Sequence, residues 1–319
     1  MVASLLGMRE YLSRMTARTR RSLGMGDVTA RLDALNTRLA GLDDRLAGLE
    51  GRLRELANSR YPGGPLYFGD HTALLATRWG AKMLVDTRDA AIAPWLVLDG
   101  LWEPHVTSWM QSTLQPGQVF VDVGANVGYF TLLGASLVGP GGKVVAVEAH
   151  PTLAGVLQRN VVINGYYGFV TTHNKAAWSE NTELEFHIRA NFAGNSSVGT
   201  IDEEGLRRLG DTEQAVKVEA VVLDDLLADL PRVDMMKIDV EGAEVHAFQG
   251  LTRTLEANPG ITIMFEWARA QIESVGDTPQ ALADLVEGMG FKFRLLETGE
   301  PIEKEALLQL PYGNVVAQR

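Results

Sequence analysis

The stretch that decides the fold is Val119 to Glu148, VFVDVGANVGYFTLLGASLVGPGGKVVAVE. An apolar run ends in Asp122, the turn Gly124-Ala125-Asn126-Val127-Gly128 opens a helical segment, and a second apolar run ends in Glu148. Runs built almost wholly of Val, Phe and Ala are what strands buried on both faces require. Strand, glycine turn and helix in that order place a ligand at the carboxyl ends of parallel strands. Glycines let the backbone approach, the helix N-terminus offers free N–H donors, and a carboxylate at the next strand end can grip ribose hydroxyls. A glycine turn alone is equally compatible with a purely structural bend. The two carboxylates tip the balance, because a carboxylate closing a buried strand is costly unless it serves a ligand or a polar network.

The dinucleotide fingerprint G-x-G-x-x-G is not met. Its second glycine is absent, Asn126 stands in the loop, and Asp122 precedes the first glycine. That departure points away from a pyrophosphate and toward S-adenosylmethionine. A nicotinamide oxidoreductase is discounted on the same ground.

A chain of 319 residues with 46% hydrophobic content can bury a full catalytic domain plus an extension. No apolar run reaches the roughly 18 residues that suggest a membrane-spanning helix. No signal-peptide pattern is visible, and Arg20-Arg21 is not followed by an apolar segment, so a cytoplasmic location is expected. Cysteine is absent, which excludes disulfides, thiolate catalysis and cysteine-held metal. The net charge of −11 is uneven: residues 1–60 carry 11 Arg against 7 acids, leaving 18 basic and 33 acidic residues beyond them. An acidic body argues against nucleic acid as a partner, since neutralising phosphates needs a basic face.

Five regions follow from the pattern. Residues 1–26 hold Leu5, Met8, Leu12 and Met15 at helical spacing among arginines. A basic amphipathic helix on an anionic membrane, at the inner face, is one reading; a continuation of the helical assembly that follows is the plainer one. Within residues 27–58, Val28, Leu32, Leu35, Leu39, Leu42, Leu46, Leu49, Leu53 and Leu56 alternate spacings of four and three, a strict heptad. Its period of 3.5 favours a self-associating coiled coil over a lone amphipathic helix. In parallel register Arg38 and Arg45 meet Asp43 and Glu50 of a second copy, while Leu at both seam positions leaves dimer, trimer and tetramer open. Residues 59–69 form a linker around Pro62-Gly63-Gly64-Pro65. Residues 70–114 read as a hairpin about Gly80 and a helical lid segment. Residues 115–319 alternate strands and helices and form the catalytic domain. The expected fold is α/β and Rossmann-like, a mostly parallel seven-stranded sheet that ends in an antiparallel edge hairpin.

With these elements placed, the chain resembles the FkbM family of S-adenosylmethionine-dependent methyltransferases over residues 95–270. The matching segments are VFVDVGANVGYFTLL (119–133), VVAVEAHP (144–151), LQRNVVIN (157–164), NKAAWSE (174–180), MKIDVEGAE (236–244) and IMFEW (263–267). The resemblance implies a class I methyltransferase fold. It makes Asp122, Gly124, Asn126 and Gly128 the loop around the methionine part of the cofactor, Glu148 the ribose ligand, and Asn174 and Ala176 neighbours of adenine. Glu103, in the LWEP segment, closes over the cofactor or is a surface glutamate. The oxygen acceptor on a sugar, glycan or specialised metabolite is also what the resemblance implies, with an N-methyltransferase or a coiled-coil scaffold with a vestigial domain as alternatives.

Methyl transfer needs an acceptor aligned with the S–CH3 bond and a base for its proton. Asp239 and Glu266 end neighbouring strands, and Glu241 and Glu244 follow Asp239. Asp239, Glu266 and Glu241 are the catalytic candidates, and Asp239 with Glu266 could instead hold Mg2+. Glu244 reads as charge stabilisation of a helix N-terminus. His150 reads as a helix cap, and no pair of histidines has metal-ligand spacing.

Overall fold

The computed structural model describes residues 64–201 and 203–319. The basic segment 1–26, the heptad segment 27–58 and the start of the linker lie outside the described residues.

The described chain opens with β1 (Leu66–Tyr67), β2 (Thr72–Ala76) and β3 (Lys82–Asp86), an antiparallel sheet. The β2–β3 hairpin turns at Gly80, whose φ of 95° favours glycine. Helices α1 (Ala93–Asp99) and α2 (Pro104–Thr113) follow. The alternating core is β4 (Val119–Val123), α3 (Tyr129–Val138), β5 (Lys143–Val147), α4 (Pro151–Ile163) and β6 (Val170–His173). The region anticipated as a lid is fastened to α4. Asn160 accepts from the Leu84 N–H at 2.7 Å and donates to the Leu84 carbonyl at 3.0 Å, and Asn164 treats Lys82 the same way.

Next comes a separate sheet, β7 (Ala176–Ala177), β8 (Thr182–Arg189) and, after α5 (Glu203–Leu209), β9 (Glu213–Val221). The chain then runs through α6 (Leu223–Leu226), β10 (Met235–Ile238), α7 (Glu244–Gln249), α8 (Thr252–Ala257), β11 (Thr262–Ala268), α9 (Arg269–Val275) and α10 (Pro279–Gly288). It closes with β12 (Lys292–Leu295), β13 (Pro301–Ile302), α11 (Lys304–Leu307) and β14 (Tyr312–Gln318).

The central sheet has eight strands in the order β13-β12-β14-β11-β10-β4-β5-β6. Its five strands from β11 to β6 run parallel, and the other pairings are antiparallel. Two expectations are corrected here. The eighth strand is β13, a two-residue edge piece paired with β12, too short to show a periodicity in sequence. The closing pair is not a simple hairpin, because β14 inserts between β11 and β12 after the short helix α11.

Every residue of β4 is buried, as its apolar composition demands. Phe120, Val144 and Ala146 join the core on one face, which holds α3 and α4, and Val121, Val123, Val145 and Val147 join the core on the other. Register brings Lys237 of β10 opposite Asp122 of β4. Strand alternation therefore puts Asp122, Lys237, Asp239 and Glu266 on a single face at the carboxyl edge. No helix among the described residues is long and apolar enough to cross a membrane.

Candidate active site

A cleft lies over the carboxyl ends of β4, β5 and β10, with an empty volume of about 850 Å³ that includes its open mouth. Gly124, Ala125 and Asn126 form its floor, and Glu148, Ala176, Trp178, Lys237, Asp239 and Glu241 stand around it. The floor exists because Gly124 has φ 79° and lies so close to β10 that a Cβ would meet the Asp239 carbonyl oxygen at 1.6 Å. No other residue type fits there. Gly128, at φ 94°, opens α3 and packs on Leu157, where a Cβ would fall 2.6 Å from Cδ1.

Glu148 is buried, and each of its carboxylate oxygens accepts one backbone N–H. It accepts from the Asn126 N–H at 2.6 Å and from the His150 N–H at 2.8 Å. Each oxygen keeps a second lone pair for a ligand hydroxyl. Burial pushes its carboxyl up to about 7, while the His150 and Asn126 N–H groups pull the other way. Asn174 donates through Nδ2 to the carbonyls of Glu148 and Ala149, both at 2.9 Å, so it shapes the strand end from behind. Ala176 is buried and lines the cleft directly. His150 caps α4, its Nδ1 accepting from the Thr152 N–H at 3.2 Å, as expected.

Asp122 departs from the role the sequence suggested. It is completely buried and accepts a 2.6 Å hydrogen bond from Thr131 Oγ1, and its other oxygen is unpartnered. It does not line the cleft. Burial raises its carboxyl, and the Lys237 charge lowers it. Lys237, missed in the sequence, is the hub of this edge. Its ammonium is buried, 2.7 Å from Asp239 Oδ2 and 5.2 Å from the centroid of Phe130. The signal was present: a lysine inside the apolar strand MMKI must have buried counter-charges.

At the far end, oxygens of Asp239, Glu241 and Glu266 lie within 4.8 Å of one another. Glu241 holds φ 55°, a strained value for a non-glycine residue. Its carboxylate bonds Gln271, and its carbonyl accepts from Ser197 Oγ at 2.7 Å. Burial and the neighbouring Asp239 push both Glu241 and Glu266 well above the usual carboxylate range. Glu266 has one oxygen buried without a partner. The Tyr312 hydroxyl is raised mainly by burial and then by the Glu266 charge. Glu244 accepts from the Val240 and Gly242 N–H groups at 3.1 and 3.4 Å and so braces the turn, which agrees with its structural reading. Glu103 is half-buried with φ 39°, and burial followed by the Asp239 charge pushes its carboxyl up to about 7. Glu103 does not itself line the cleft.

The 191–197 loop also reaches the cleft. Ala193, Gly194 and Ser196 line it, and a Cβ on Gly194 would meet the Asn126 side chain at 2.6 Å.

Glycine loop, strand-end carboxylate and opposing carboxylates on this sheet order define a class I, Rossmann-like methyltransferase fold. The family model described as the methyltransferase FkbM domain matches residues 122–293, and the chain belongs to that family. Methyltransferase 1 of Beauveria bassiana is 29% identical over 144 residues, 41% of this chain and 57% of that protein. Methyltransferase sdnD of Sordaria araneosa is 29% identical over 163 residues, 44% of this chain and 62% of its own. The 31-O-demethyl-FK506 methyltransferase FkbM of Streptomyces tacrolimicus is 28% identical over 204 residues, 56% of this chain and 74% of its own. The chain thus spans 57% and 62% of the length of the first two of these relatives.

Proposed function

We propose that this chain binds S-adenosylmethionine in the cleft and methylates a hydroxyl of a sugar, glycan or specialised metabolite. The observation that carries the reading is the pairing of Glu148, clamped beside the Gly124 loop, with Asp239 and Glu241 at the other end of the same cleft, where Glu266 is buried beside them. The family membership supports the methyl donor, and the name of the Streptomyces relative supports an oxygen acceptor.

S-adenosylmethionine, when bound, supplies a methyl group activated by its sulfonium. Glu148 accepts the ribose hydroxyls through its remaining lone pairs. Asp239 stands at the cleft wall next to the acceptor end, charge-paired with Lys237. Asp239, or Glu266 beside it, would take the proton that the acceptor hydroxyl loses as its oxygen bonds the methyl carbon and the carbon–sulfur bond breaks, its electron pair staying on the sulfur of the departing S-adenosylhomocysteine. Glu241, fixed by Gln271 and Ser197, orients the acceptor.

A divalent cation such as Mg2+ fits the same end, where Asp239, Glu241 and Glu266 offer hard oxygen donors and Glu266 keeps a buried unpartnered oxygen. It would lower the pKa of the acceptor hydroxyl. Self-association through the heptad segment 27–58, and contact of residues 1–26 with an anionic membrane surface, complete the reading, each supported by sequence pattern alone.

Calorimetric titration with S-adenosylhomocysteine and with NAD tests the cofactor. The expected result is binding of the first and none of the second; the reverse overturns the proposal. Methyl-labelled cofactor offered to hydroxylated and aminated acceptors then tests the atom methylated, and label found only on nitrogen overturns the oxygen assignment.

A further inference from the structure

Trp178 lines the cleft on the side of Ala176 and Ala177, and its ring is stacked on a histidine from a distant part of the chain. The rings of Trp178 and His246 have centroids 3.5 Å apart and an interplanar angle of 12°. His246 belongs to α7, the helix that follows the Asp239–Glu244 turn. Both of its ring nitrogens face polar groups. Nδ1 lies 3.1 Å from Ser179 Oγ, and Nε2 lies 3.4 Å from Asp277 Oδ2, an oxygen that is buried with no hydrogen bond of its own. Nδ1 shares a hydrogen bond with Ser179 Oγ, and Nε2 faces the Asp277 carboxylate as a charge contact.

The backbone is fitted to the same contact. The Trp178 N–H donates to the Val221 carbonyl at 3.0 Å, which ties the segment to β9. At the end of α7 a Cβ on Gly250 would meet the Trp178 carbonyl oxygen at 2.5 Å, so the close approach of α7 depends on glycine there. An indole has one torsion fewer to restrain than a long aliphatic chain, but a half-buried one still samples rotamers unless a face is covered. Here that face is covered by the flat ring of His246, packed against it at 3.5 Å.

We infer that His246 is a positioning residue: it holds Trp178 as the wall of the cleft against which the purine of the cofactor packs, and it ties that wall to the helix carrying the acceptor-side turn. This rests on the reading of the cleft as an S-adenosylmethionine site. Nothing in the sequence joins these residues, since stacking requires β7 and α7 to meet in three dimensions.

The test uses the full-length chain, with S-adenosylhomocysteine and adenosine as ligands, titrated calorimetrically and by tryptophan fluorescence. Removing the stack in H246A, or the wall in W178A, should weaken S-adenosylhomocysteine about tenfold and adenosine by the same factor, because the lost contact belongs to the purine half. H246F keeps a flat ring without the nitrogens and should recover affinity to within about threefold of the parent. Should H246A not fold, W178A and H246F carry the comparison: full affinity in W178A, or tenfold loss in a folded H246F, overturns the inference. Loss of S-adenosylhomocysteine affinity with adenosine affinity unchanged also overturns it. A parent protein that binds neither ligand refutes the cofactor assignment itself.

Discussion

Replacing Glu148 by Gln should remove the pH dependence that this carboxyl gives to stability and weaken cofactor binding. Burial raises the Glu148 carboxyl from 4.5 to about 7. Between those values the folded protein binds a proton that the unfolded chain has released. The stability slope with pH is proportional to protons bound unfolded minus folded, so it is negative in this window. Each unit is worth about 1.4 kcal/mol, and the ionised carboxylate therefore costs the fold on the order of 3 kcal/mol above pH 7. Gln has no such titrating charge, but the N–H groups of Asn126 and His150 reach different oxygens, so one of them loses its acceptor and faces the amide NH2, a cost that does not change with pH. Relative to the parent, E148Q should gain stability steadily from about pH 4.5 to 7 and hold the gain above it, read by urea unfolding at each pH. Binding should move in the opposite sense. Ribose hydroxyls need the ionised carboxylate as acceptor, so S-adenosylhomocysteine affinity should rise with pH through about 7 in the parent and be flat in E148Q. At pH 8 the variant should bind more weakly by on the order of 2 kcal/mol, the value of a charged hydrogen bond. Equal affinity at pH 8, or an unchanged difference in stability across the range, would refute the reasoning.

Asp239→Asn should abolish methyl transfer while S-adenosylhomocysteine affinity stays within a few fold; activity in the parent that is indifferent to EDTA and Mg2+ would leave the base role and remove the metal one. Lys237→Met strands the buried Asp122 and its neighbour Asp239 without a counter-charge. It should cost about 3–5 kcal/mol in denaturant unfolding. Gly124→Ala forces a methyl group onto the Asp239 carbonyl at a φ of 79°. It should lower the melting temperature and cofactor affinity together, with a stability loss on the order of 3 kcal/mol. A chain starting at Tyr61 should keep cofactor affinity and show a smaller assembly by light scattering, unless the Leu heptad packs on its own chain.

Much of this protein is legible in its sequence because the responsible physics is local. Buried parallel strands need unbroken apolar runs, and β4 and β5 announce themselves; glycine with positive φ is needed where a strand turns into a helix, and Gly124 and Gly128 mark the place. Carboxylates at the ends of such runs are too costly to be incidental, so Glu148, Asp239 and Glu266 stand out before any fold is known. What sequence alone left undecided depends on which strands become neighbours. Asp122 follows the rule for a strand-end carboxylate, yet α3 covers it, and Thr131 with Lys237 claim it for support. Lys237 becomes the hub only because β10 lies between β4 and β11 in matching register. Glu241 joins Asp239 and Glu266 through a left-handed turn held by Gln271, thirty residues on. The stack of Trp178 on His246 requires β7 and α7 to converge. Local pattern records what each segment must bury; only tertiary packing decides which buried charge meets which, since that choice is made across the sheet and not along the chain.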